Sequence, residues 1–173
     1  MKRLTLFRHA KTLPAAPGQD DFDRALAERG ESDAAMIGRK EAALGAAPDL
    51  ILCSTAQRTR QTCAVFLNAL QAKPEVKYDD DLYLASPKAM LGAARRADPA
   101  HDHVMIIAHN PGLHMLAISL IDPARSHGET VAAVGAKFPT GAIASFAFDI
   151  DEWRRLKERT GALQRYSTPK ALR

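Results

Sequence analysis

"LTLFRHAKT" (Leu4–Thr12) begins as an apolar strand and ends in an arginine, a histidine and a lysine grouped around one alanine. Strands usually close on Gly, Asn, Asp or Pro. A nitrogen-rich ending therefore asks for a chemical reason.

Three further apolar runs set the frame: "DLILCS" (49–54), "HVMIIAH" (103–109) and "AIASFAFD" (142–149). The first two of these are continuous rather than alternating, as suits central strands covered on both faces. "EVKYDDDLY" (75–83) contributes a weaker extended segment. Helical patterns lie between them, over 28–47, 54–72, 86–97 and 112–121. In the second, Ser54 or Thr55 is placed to cap the start; in the third, Ser86 caps and Pro87 sits in the first turn. The fourth, "GLHMLAISLI", is apolar on most sides and is expected to pack deep. Strand and helix in alternation predict an α/β layered fold with a largely parallel sheet. "LPAAPGQDDFD" (13–23) reads as a loop, and 122–141 as a long irregular excursion before the last strand.

The bulk numbers bound the class. A chain of 173 residues suits one domain, expected over 1–173, with a core that needs no staples. Hydrophobic residues make up 46% and charged residues 25%, ordinary values for a soluble globular protein. No apolar run approaches a membrane span, and the apolar part of "MKRLTLFRHA" is too short for a signal peptide. The expected location is cytoplasmic, with no membrane partner. Cys53 and Cys63 form no CxxC or Cys/His zinc spacing and read as buried small hydrophobes. The net charge of +4 favours anionic substrates at long range. Its densest basic cluster, "WRRLKER" (153–159), reads as the solvated face of a helix. No basic stripe or module points to nucleic acid.

The polar residues then fall into place. Arg8 and His9 follow the first strand; Ser54 to Arg58 follow the second and open a helix; His109 and Asn110 follow "HVMIIA". All leave the carboxyl ends of predicted strands, where open α/β sheets bind ligands. Two guanidiniums can grip a tetrahedral anion through paired hydrogen bonds, and helix N-termini add N–H donors. No carboxylate is placed to hold a metal in this set. The natural guest is a phosphoryl group, with a neutral histidine as nucleophile and the remaining groups stabilising the charge in flight. Taken singly, Arg58 could be a helix-surface residue and His109 a hydrogen-bonded core histidine. Their joint placement makes the case.

These residues resemble a known family. "LFRHAKT" is similar to the RHG/RHA motif of the histidine phosphatase superfamily, "STAQRTRQT" (54–62) to its S-x-x-x-R-x-x-Q-T segment, and "IIAHNPGL" (106–113) to its second-histidine motif. "DFDRALAERG" (21–30), "LYLAS" (82–86) and "FPTGAIASFAFD" (138–149) extend the resemblance over nearly the whole chain, toward the small SixA-type phosphohistidine phosphatases. The resemblance implies His9 as the phosphorylated nucleophile, with Arg8, Arg58, His109 and Asn110 around the phosphoryl group. Lys11 helps attract an anion. It also implies a three-layer, phosphoglycerate mutase-like sandwich with helices on both faces of a mostly parallel sheet, and no metal or organic cofactor. The expected partner is a protein carrying phosphohistidine, or a small phosphorylated substrate. The oligomeric state is left open. The mutase-type glutamate acid is missing; Asp79, Asp80 and Asp81 fall in that interval and read as a solvated acidic turn.

Three rivals remain at this point. One is a phosphatase for small phosphate esters on the same fold. Another is a non-catalytic module that binds phosphorylated ligands. The third is a metalloenzyme built on "HDH" (101–103) with His109, although His103 and His109 stand roughly 20 Å apart along an extended strand. His114 and His127 have no supporting pattern.

Overall fold

The computed structural model describes residues 1–173. Six strands form one sheet: β1 (Lys2–Arg8), β2 (Leu50–Ser54), β3 (Glu75–Asp79), β4 (His103–Ala108), β5 (Ile143–Phe148) and β6 (Ala162–Ser167). Their order is β3-β2-β4-β1-β5-β6. β3, β2, β4 and β1 run parallel, whereas β5 is antiparallel to both β1 and β6. The sheet is therefore mixed around a parallel core, an α/β sandwich of the kind expected.

The continuous runs are central for the expected reason. Every residue of β2, β4 and β5 is buried. Alternate side chains feed two cores. Leu4, Leu6, Leu50, Leu52, Val104 and Ile106 pack against α3 (Pro87–Arg95) and α4 (Gly112–Leu120) on one face. Phe7, Ile51, Cys53, Met105 and Ile107 pack against α1 (Glu28–Ala43) and α2 (Gln57–Leu70) on the other. Both cysteines are buried and free. Ser86 caps α3, accepting from Ala89 N at 3.1 Å.

Several expectations are corrected. The excursion over 122–141 contains a helix, α5 (Gly128–Ala136), whose Val134 enters the core beside α4. "WRRLKER" is not a helix; Trp153–Arg155 is a single 3-10 turn, and Trp153 is fully buried, its indole N–H donating to His101 O at 2.8 Å. The run over 142–149 is not the last strand: β6 and a last short helix, α6 (Pro169–Leu172), follow it. The α2 start carries no side-chain cap: its N-cap is Ala56, and the Ser54 hydroxyl is engaged elsewhere. No helix is long and apolar enough to cross a membrane.

Candidate active site

The strand order sets β2, β4 and β1 side by side and parallel, so their carboxyl ends share one edge. β1 ends at Arg8, β2 at Ser54 and β4 at Ala108, which brings Arg8–His9, Ser54–Arg58 and His109–Asn110 together. Arg8, His9, Arg58, His109 and Asn110 line an open cleft of about 500 Å³. Because β5 is antiparallel, its incoming loop arrives at the same edge. Gly141 N there donates to His9 O at 3.0 Å. Phe138 O accepts from Arg8 Nη1 at 3.0 Å and from Asn110 Nδ2 at 2.9 Å.

His9 is 7% exposed, and its Nδ1 lies 2.9 Å from Ala10 O. A carbonyl can only accept, so Nδ1 carries the proton and Nε2 keeps a free lone pair. Burial lowers the His9 pKa to about 4, and the positive charges of Arg58, Arg8 and Arg24 press in the same direction. The imidazole is neutral near pH 7 and fit for nucleophilic attack. Its ring centroid is 5.3 Å from that of His109.

His109 Nε2 is 2.7 Å from Ser54 Oγ. That oxygen also accepts from Ala56 N at 3.5 Å, and with two lone pairs and one hydrogen it can accept from or donate to Nε2. His109 Nδ1 is buried with no partner. Burial first, then the charges of His9 and Arg58, lower its pKa to about 3. Arg8 Nε and Asn110 Oδ1 are likewise buried without protein partners. The Arg8 Nε–H, unpartnered beside a neutral imidazole, is a donor that an anion can use. Burial and the Arg58 charge lower the Arg8 pKa, and an anion between the two guanidiniums would relieve both.

Arg58, 4% exposed, spends two of its five N–H donors on Asp21: Nη1 to the carbonyl at 2.6 Å and Nη2 to Oδ2 at 2.9 Å. Asp21 also accepts from Tyr83 Oη at 2.7 Å and Arg24 Nη1 at 3.2 Å. These hydrogen bonds, Tyr83 first, pull the Asp21 carboxyl down to about 2. Asp21, Arg24 and Tyr83 carry no signal of their own in composition or periodicity. They sit inside "DFDRALAERG" and "LYLAS", stretches matched to the family without a role.

The other candidates fall elsewhere. Asp79, Asp80 and Asp81 are outside the cleft lining; Asp80 accepts from Thr55 Oγ1 and Asp79 from Asp81 N in a 3-10 turn. His103 is buried at the opposite strand end between Thr5 Oγ1 (2.8 Å) and Ala47 O (3.1 Å), and His101 pairs with Glu75. "HDH" and His109 therefore share no site. No group of three or more His, Cys, Asp or Glu side chains is arranged to hold a metal ion.

Comparison with known proteins gives three kinds of likeness. The model of the histidine phosphatase superfamily (branch 1) matches residues 4–83. An uncharacterized protein of Mycobacterium tuberculosis strain H37Rv is 32% identical over 164 residues, covering 94% of this chain and 99% of its own. Among solved structures, a candidate phosphohistidine phosphatase SixA from Agrobacterium tumefaciens is 32% identical with a TM-score of 0.79, covering 97% of this chain and 98% of that one. The candidate SixA of Nakamurella multipartitia is 25% identical with a TM-score of 0.84 over 97% and 96%. The protein histidine phosphatase SixA complexed with tungstate shares the fold at 19% identity and a TM-score of 0.78, over 99% of each chain.

Proposed function

The chain belongs to the histidine phosphatase superfamily and is of its SixA type, and from that premise we propose that it removes phosphate from phosphohistidine in proteins. His9 Nε2 attacks phosphorus; the Nε2–P bond forms as the bond from phosphorus to the leaving nitrogen breaks. The departing imidazole takes its proton from solvent. Arg8, Arg58, His109 and Asn110 surround the phosphoryl oxygens. Water then attacks the phosphoenzyme, the P–Nε2 bond breaks, Nε2 recovers its lone pair, and the proton shed by the water goes to solvent with release of orthophosphate.

The observation that carries the substrate class is the state of Asp21. It is the one carboxylate lining the cleft, and three hydrogen bonds hold it ionised with a pKa near 2. An ionised carboxylate cannot protonate an alkoxide, so alkyl esters lack a carboxylic general acid. Imidazole, whose conjugate acid has a pKa of about 6.5, needs far less help. Single-turnover rates test this on phosphohistidine protein, phosphoramidate, aryl phosphate and alkyl phosphate, beside His9→Ala. The first three should react much faster than the last, and His9→Ala should abolish turnover. An alkyl phosphate that keeps pace would move the assignment to a small-ester phosphatase.

A further inference from the structure

Beside the catalytic cleft lies a second groove of about 280 Å³, and Lys11 and Thr140 line both. It has no hydrophobic lining residue. Lys11 comes from the segment after β1, Arg29 from the first turn of α1, Lys137 from the loop before β5 and Lys170 from α6. Four chain segments thus bring four cations to one wall, and none of the four forms an ion pair. The groove's one carboxylate, Asp33, is 3% exposed and already bound to Arg173.

The way this charge is presented separates the groove from the cleft. The cleft meets its anion with guanidinium forks and buried N–H donors, which suit one tetrahedral group. The groove offers mainly lysine ammoniums, which are mobile point charges. Its backbone includes Pro139 and Pro169, which have no N–H to donate. Charge without a cradle suits several carboxylates spread over a surface better than a second phosphate.

We propose that this groove docks acidic side chains flanking the phosphohistidine of a protein substrate. The proposal rests on the phosphohistidine reading and gives it a specificity device. Unpaired cations beside the cleft also raise the encounter rate with an acidic partner, an effect that salt screens.

The test uses Arg29→Gln/Lys137→Gln/Lys170→Gln, three exposed positions outside the cleft lining. Two phosphohistidine peptides serve as substrates, one with flanking glutamates and one with glutamines in their place; free phosphoramidate is the third. Wild type should prefer the acidic peptide. The triple variant should lose about tenfold in kcat/KM on that peptide, as three exposed ion pairs imply, with kcat, the neutral peptide and phosphoramidate unchanged. The salt dependence should flatten. Equal rates on the two peptides in wild type, or an equal loss on phosphoramidate in the variant, would overturn the proposal. Anisotropy of the unphosphorylated acidic peptide reads the groove without catalysis. Binding that the triple variant loses, with no phosphohistidine turnover by wild type, would sink the substrate reading and keep the groove. Competition by inorganic tripolyphosphate with no acidic-peptide binding would make the groove a second phosphate subsite and end the proposal.

Discussion

Asp21 occupies one side of the Arg58 guanidinium fork, with Oδ2 2.9 Å from Nη2 and the Asp21 carbonyl 2.6 Å from Nη1. Arg58 is nearly buried while Asp21 remains half-exposed. The carboxylate therefore acts as a brace that fixes the plane of the guanidinium and leaves its remaining donors for a ligand. Asp21→Asn should lower kcat about ten- to a hundredfold by loosening this geometry, with a smaller change in KM. The shape of the pH–rate profile should not change. A lost basic limb in steady-state kinetics would instead make Asp21 a proton donor.

In the proposed mechanism Arg58 acts through its planar fork, so Arg58→Lys should stay nearly inactive although the charge is kept. A point ammonium cannot brace against Asp21 and face the phosphoryl oxygens together. Full activity in the lysine variant would reduce the site's requirement to bulk charge. The same assay with a chelator should show no loss, and inhibition reversed by added metal would contradict the metal-free mechanism.

His9 is neutral far below its ordinary range, with a pKa of about 4. The acidic limb of kcat/KM reports the free enzyme. That limb should fall near pH 4 to 5 rather than near the ordinary histidine value of about 6.5. The phosphoenzyme trapped by rapid quench in alkali should carry its label on His9 Nε2. A limb near 6.5, or label on serine or cysteine, would remove His9 from the role.

Three buried histidines link stability to pH. His9 and His103 have pKa values lowered to about 4 and His109 to about 3, chiefly by burial. The unfolded chain protonates these groups near 6.5 and so binds more protons across the window below it. Stability should be fully present above about pH 6.5 and fall as the pH drops toward 4. Glu41 opposes this, since burial raises its pKa and acidification favours its folded form, but it is one group against three. Urea midpoints at pH 7 and pH 5 check the sign; a higher midpoint at pH 5 would refute it.

Gly30 lets α1 pass under the segment that follows His9. A Cβ there would sit 2.1 Å from the backbone oxygen of Lys11. Gly30→Ala should cost about 1–3 kcal/mol through forced backbone movement and lower kcat by displacing the His9–Thr12 segment. Denaturant unfolding and kcat measured together would show both effects, and unchanged values would mean that the segment yields freely.

What the sequence by itself determined is the part set by local pattern. Continuous apolar runs marked β2 and β4 as central, and the residues that end β1, β2 and β4 were placed at strand ends by adjacency in the chain. Because parallel strands share a direction, Arg8, His9, Arg58, His109 and Asn110 belong to one edge of the sheet, and the order β2-β4-β1 made them neighbours there. Tertiary structure decided what local pattern does not encode. In β6 only Leu163 is buried, so the strand has little apolar signal and exists by pairing with β5. Helix α5, "GETVAAVGA", is small-residue-rich, begins on Gly and has one fully buried anchor, Val134, so packing rather than propensity holds it. Trp153 lies in a charged stretch, yet it joins the larger hydrophobic core beside Leu156, and the distant carbonyl of His101 satisfies its indole N–H. Ser54 looks like a helix cap in sequence, yet its hydroxyl faces His109, 55 positions away. The Asp21 brace and the basic groove each join segments far apart in the chain. Hydrogen bonds and charge act through space at a few ångströms, and only the folded sheet brings those segments that close.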